Sequence, residues 1–166
     1  MDAAQHMLRR RRNTFPEAFR QNAVVMNNFF SQAVPARLEN YRKREKALWE
    51  DLLPMLTGIE KQFLAPWTGV EDVYWCQNYK SVHWFAIEAS IASWTFTIYD
   101  SNISVISDHD LDACMKPWCI LFPNLLLASK LFKDKIELKT PPAGKKRPNF
   151  TWRRLQPPEV PQTKKR

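Results

Sequence analysis

Two residues able to do proton-transfer chemistry as a pair stand at a telling separation. His83 opens one β-prone run, and Asp100 closes the next, seventeen positions later. If the two runs fold as an antiparallel hairpin, residues near the outer ends of both strands face each other, bringing imidazole and carboxylate within hydrogen-bonding reach. A carboxylate in that place holds the imidazole tautomer and stabilises the imidazolium. The imidazole in turn lowers the pKa of a nearby thiol, so that thiolate is present at neutral pH. The arrangement is half of a catalytic triad, whose missing member is a Cys, or failing that a Ser, on a helix N-terminus. On residue types alone a plainer reading is favoured: a packed, hydrogen-bonded His beside Trp84, and an ordinary strand-to-turn cap at Asp100-Ser101.

Other chemistries find less support. Cys76, Cys114 and Cys119 are odd in number, with no C-x-x-C pair and no His at a zinc-finger spacing, which argues against a disulfide scaffold or a structural zinc site. They read as small buried hydrophobes of a protein in a reducing compartment. Asp108, Asp110 and Asp112 have a metal-loop spacing, but no glycine and no bidentate Glu follow, so they read as a helix cap and its first turn. Tryptophans 67, 75, 94, 118 and 152 read as core or interface aromatics, and His6 and His109 as solvated. The pattern calls for no cofactor and no metal.

The elements that must position His83 and Asp100 follow from periodicity. Asn13 to Pro16 supply a capping residue and a proline ahead of Phe19, Val24, Val25, Phe29 and Phe30, which predicts a short helix. Leu38, Tyr41, Ala47, Leu48, Leu52 and Leu53 recur at helical spacing and make residues 36–53 the strongest helix, closed by Pro54 and Gly58. From Val70 the period changes to that of strands, over 70–75, 83–87 and 94–99, with a turn at 90–93 that makes the last two a hairpin. Ser107 to Asp110 cap an apolar segment, 111–132, which Pro117 and Pro123 break into two or three helical pieces. Residues 139–148 read as a linker, 149–155 as a late strand and 156–166 as an extended tail. Helices, then clustered strands, then helices and a late strand indicate an α+β domain.

Composition sets the outer limits. With 166 residues, 45% of them hydrophobic and 13% aromatic, the chain has material for one ordinary core. Its net charge of +8 is gathered at Arg9 to Arg12 and in the last quarter, at Lys145, Lys146, Arg147, Arg153, Arg154, Lys164, Lys165 and Arg166. Basic ends of this kind are solvated tails with a modest attraction for polyanions, and nucleic-acid binding rests on charge alone. No apolar stretch opens the chain, and the longest apolar run, interrupted by Pro123 and Asn124, is too short to span a bilayer. The expectation is a soluble intracellular protein without a membrane partner, in the nucleus or the cytoplasm, with the nucleus slightly favoured.

The motifs together carry a resemblance. Val73-Tyr74, His83-Trp84-Phe85-Ala86-Ile87 and Trp94-Thr95-Phe96-Thr97-Ile98-Tyr99-Asp100-Ser101 resemble the His-Trp and Tyr-Asp-Ser motifs of the ubiquitin-like-protein-specific cysteine proteases, the SUMO or sentrin protease family. Ser107-Asp108, Leu111, Met115, Lys116-Pro117 and Leu121 are similar to divergent, transposon-associated plant members. Phe150, Trp152, Arg153 and Pro161-Gln162 resemble their approach to the nucleophile. The resemblance implies a papain-like α+β fold, incomplete at its C-terminal end, with His83 as general base, Asp100 as the residue orienting it and Gln162 as the oxyanion candidate. Trp84 would line a substrate tunnel that admits only the extended Gly-Gly tail of a ubiquitin-like modifier. The implied partner is a SUMO-like modifier or its conjugates, cleaved after a C-terminal glycine. Residues 1–12 then read as a basic disordered leader, 13–58 as an N-terminal helical part, 59–160 as a partial protease core and 161–166 as a basic tail. The family's Asp-Cys-Gly motif does not follow Pro161-Gln162, and no Cys here has its following glycine, so the 166 residues are expected to be inactive as they stand. A non-catalytic module that binds the modifier is the alternative.

Overall fold

The computed structural model describes residues 2–44, 48–131 and 150–163. Residues 45–47 of the expected long helix, the 139–148 linker, Asn149 and the last three basic residues of the tail lie outside them.

The expected strands form, as β2 (Asp72–Tyr79), β3 (His83–Ser90), β4 (Thr95–Tyr99) and β5 (Thr151–Arg154). They join β1 (Ala23–Val25) in a five-stranded sheet of order β1-β2-β3-β4-β5. β2, β3 and β4 pair antiparallel, while β1 pairs with β2, and β5 with β4, in parallel. Period-two alternation decides the faces. In β3, His83, Phe85, Ile87 and Ala89 are buried while Trp84, Ala86, Glu88 and Ser90 are half-buried. The buried face packs under α2 (Asn28–Ala36) and α5 (Asp108–Ala128). At the centre Trp75 of β2 meets Trp118 of α5 with ring centroids 4.4 Å apart, and Phe30, Phe96 and Phe122 close around Trp75. The aromatics read as core are core: Trp67, Trp75 and Trp118 are fully buried, Trp94 is buried, and Trp152 is half-buried.

Several expectations from periodicity are corrected. Pro117 and Pro123 do not break α5, which runs through both. Each proline in a helix interior costs about 3 kcal/mol. Eight side chains of α5 are buried, at about 2 kcal/mol apiece for the larger apolar ones, so packing wins. By length and composition this 21-residue helix is able to cross a membrane, contrary to the reading that the run is too short, yet its apolar side is spent on the core.

The strongest predicted helix, 36–53, is absent as such. Residue 36 ends α2, a five-residue α3 (Leu38–Arg42) follows, and α4 (Leu53–Thr57) carries Pro54 in its first turn instead of at its end. Arg37 supplies the tertiary reason: its guanidinium reaches the Leu48 and Ala33 carbonyls and Asp51, tying the end of α2 to the residues just before α4. The predicted helix over Phe19 to Phe30 starts only at Asn28, capped by Asn27, because Val24 and Val25 are claimed by the sheet.

The basic leader is a helix, α1 (Asp2–Thr14), and not a disordered arm. Gln5 and Arg9, one turn apart, are buried. Arg9 donates to the Gln62 carbonyl at 3.0 Å and Arg12 to that of Gln21 at 2.9 Å, with Asp2 and the last-turn arginines matching the helix dipole. One hydrophobic core runs from Val24 to Phe150, so the parts on either side of residue 58 share it.

Candidate active site

Strand polarity gathers the site. β3 begins where β4 ends, because the two are antiparallel, and β5 ends at the same edge, because it runs parallel to β4 with Arg154 beside Ile98. Ser107, capping α5 by accepting from the Asp110 amide, lies in the loop that leaves this edge. Continuing the Ala86–Tyr99 register sets Asp100 opposite Phe85, so His83 is its diagonal neighbour on the buried face, within side-chain reach.

His83 Nε2 and Asp100 Oδ1 are 2.7 Å apart, with the His side chain 9% exposed and the Asp fully buried. Asp100 Oδ1 also accepts the Asn102 amide at 2.8 Å, and Oδ2 accepts Arg154 Nη2 at 2.5 Å. Burial pushes the carboxyl's pKa up, but the Arg154 guanidinium, the Asn102 amide and His83 outweigh it and hold Asp100 below its ordinary range. An ionised Asp100 accepts from Nε2–H, which leaves Nδ1 as the unprotonated ring nitrogen able to take a proton. The pair is therefore a buried, hydrogen-bonded imidazole–carboxylate couple.

The other predicted site residues lie elsewhere. Trp84, opposite Asn78 in the β2–β3 ladder, is half-buried and belongs to the alternate set from His83, on the other face of the sheet. Gln162 donates from Nε2 to the carbonyls of Asp100, at 2.9 Å, and Val160, at 3.2 Å, while its Oε1 accepts the Ile103 amide. Both of its N–H groups are thus committed to carbonyls, and an oxyanion role requires the carboxamide to leave them. The three aspartates with metal-loop spacing are each engaged: Asp108 with Arg154, Asp110 with Ser107, Asp112 with the Trp152 indole.

None of the three cysteines is matched to the imidazole. Cys76 pairs with Ala86 and falls on the sheet face opposite His83. Cys114 and Cys119 sit half-buried on α5 against the core, and burial pushes the Cys114 thiol up.

Sequence reasoning missed Arg154. In the alternation of β5, Thr151 and Arg153 are exposed while Trp152 and Arg154 turn inward. An Arg on an inward position of a strand needs a buried acceptor, and it is the parity of β5 that marks Arg154, not Arg153, as the inward one.

The full chain, residues 1–166, matches the family described as "Ulp1 protease family, C-terminal catalytic domain". The chain belongs to the Ulp1 protease family. That membership makes this a cysteine-protease domain and agrees with the mixed α+β architecture. Among solved structures it resembles the C-terminal Ulp1 protease domain in complex with Smt3, the yeast orthologue of SUMO, at 12% identity and a TM-score of 0.52, covering 98% of this chain and 56% of that one. It also resembles SUMO protease Ulp1 with the catalytic cysteine oxidised to a sulfinic acid, at 16% identity and a TM-score of 0.51, covering 98% and 57%. At such identities the likeness concerns the fold. The chain spans about half the length of the solved proteases it matches. No protein of curated function matches it.

Proposed function

We propose that this domain supplies the general-base half of a cysteine peptidase that hydrolyses the peptide or isopeptide bond after the C-terminal glycine of a SUMO-like modifier. One observation carries the reading: in a chain of this family, His83 and Asp100 form a buried 2.7 Å pair that frees Nδ1 as base. Nδ1 takes the thiol proton, Asp100 stabilises the imidazolium, and the sulfur attacks the glycine carbonyl carbon. The C–N bond then breaks, and the leaving amine takes the proton from Nδ1. Water, deprotonated by the same nitrogen, opens the thioester and releases the glycine carboxylate. Trp84 borders the channel for the Gly-Gly tail, and Gln162 becomes an oxyanion donor on release from the Asp100 and Val160 carbonyls. The protein works inside the cell, with the nucleus favoured.

A second reading is favoured by the position of the cysteines. With Cys76 on the far face and Cys114 and Cys119 packed against the core, the 166 residues by themselves hold the modifier without cleaving it. Of the four leader arginines bearing on the nucleic-acid reading, Arg9 and Arg12 are tied to Gln62 and Gln21 while Arg10 and Arg11 stay exposed.

The test is a titration of the isotope-labelled chain with a SUMO-type modifier and with the same modifier lacking its two terminal glycines, alongside incubation with a C-terminally extended precursor. The expected result is shifts at the Trp84 indole and His83 imidazole with the intact tail alone, and no cleavage. No shifts with either form sink the proposed partner. Cleavage by the chain alone sinks the claim that none of its cysteines attacks.

A further inference from the structure

The guanidinium of Arg154 is the most heavily engaged group at the site. Its side chain is only 5% exposed, and it comes from the strand neighbouring Asp100, across the parallel Ile98–Arg154 register. Nη2 meets Asp100 Oδ2 at 2.5 Å, and also the carbonyls of Ile106 at 3.0 Å and Ile103 at 3.3 Å. Nη1 meets the Ile106 carbonyl and Asp108 Oδ1, each at 3.0 Å. The division on the carboxylate matters: Oδ2 belongs to Arg154, while Oδ1 belongs to His83 and the Asn102 amide. Swinging Asp100 about its last side-chain bond would remove both sets at once.

We propose that Arg154 is a positioning residue for the His83–Asp100 pair: by occupying Oδ2 from a guanidinium itself fixed to the 103–108 loop, it holds Oδ1 against Nε2 and so sets which imidazole nitrogen is the base. The inference rests on reading His83 as that base. Only Arg fits the task. A planar fork reaches a carboxylate and the carbonyls beside it together, whereas the ammonium of Lys is a single point at the end of a flexible stem. The competing role is purely structural, with Arg154 as a tether for the 103–108 loop. Asp108 separates the two, because its carboxylate is mostly exposed, touches Arg154 and does not touch His83.

The experiment reads the tautomer of neutral His83 from its ring ¹⁵N shifts in the 166-residue chain, for wild type, Arg154→Gln, Arg154→Lys and Asp108→Asn. Wild type is expected to show the Nε2–H form alone. Arg154→Gln, folded by its amide spectrum, is expected to lose that single pattern, the two nitrogens moving toward a common averaged position. Arg154→Lys is expected to restore it only in part, and Asp108→Asn to leave it intact. A folded Arg154→Gln that keeps the pure Nε2–H form overturns the proposal, as does an Asp108→Asn that loses it to the same degree. If Arg154→Gln does not fold, the decision passes to the wild-type Arg154 side chain. Separate, slowly exchanging Nη1 and Nη2 signals support the clamp, and a single rotationally averaged signal overturns it. Because no cleavage is measured, failure of the peptidase reading leaves this result standing, and failure of the clamp leaves the peptidase reading untouched.

Discussion

Asp100 meets Arg154 at 2.5 Å with both side chains withdrawn from water, the carboxylate completely and the guanidinium at 5% exposure. Removing one partner of a buried ion pair strands the other, at a cost of about 3 to 5 kcal/mol. Asp100→Asn is expected to lose stability on that scale in urea unfolding. Acid should do the same to the wild type. Asp100 titrates below its ordinary value of 3.8, so its contribution is present above that pH and disappears as pH falls through the lowered folded value. The thermal midpoint of the wild type should drop below about pH 4, and that of Asp100→Asn should drop less steeply.

At the opposite end of the pH scale the half-buried sheet face is the sensitive one. Tyr74 and Tyr99 both donate to the Glu88 carboxylate, at 2.7 and 2.5 Å. Burial, reinforced by Glu88, pushes both phenols up, Tyr99 to about 12. A group that holds its proton longer when folded stabilises below its unfolded pKa of 10.0 and loses that contribution as pH rises through the folded value. Spectrophotometric titration should therefore show Tyr74 and Tyr99 ionising late. In Glu88→Gln their midpoints should fall back toward 10. Unchanged midpoints in that variant would show that Glu88 adds nothing to burial.

The turn that delivers His83 is built from unfavourable residues. Lys80 and Ser81, between β2 and β3, have φ of 49° and 60°, a left-handed backbone that Asn and Gly adopt more readily. Replacing the two by Asn and Gly is expected to raise stability by about 1 kcal/mol, measured by chemical denaturation. A loss would mean that the Tyr79–Lys80 cation–π contact is worth more than the strain.

Much of this was legible in the sequence where a local pattern and the tertiary demand coincide. His83, Asp100 and the strands carrying them were placed because β-branched and aromatic alternation meets no competing rule. The Ser107 cap was visible for the same reason. Periodicity misled where long-range packing overrode it. Two prolines did not end α5, because its apolar face fills the space under Trp75 and Phe96. Four consecutive arginines did not make a free arm, because Gln5 and Arg9 form a buried stripe that a charge count conceals. Arg154 was hidden by its neighbour: Arg153 and Arg154 look alike in sequence, and only the parity of β5 and its parallel register separate the exposed one from the one that faces Asp100.

The most direct test of the central claim, that His83 is the base of a cysteine peptidase acting after a modifier's C-terminal glycine, is a cleavage assay on the native protein. Captured from its own cells through this domain, the protein is offered a SUMO-type precursor, beside an otherwise identical His83→Ala version. The account predicts release of the extension by the native protein, blocked by thiol alkylation, and a rate at least about 10²-fold lower for His83→Ala. Equal cleavage by both versions, or none by the native protein, would contradict it.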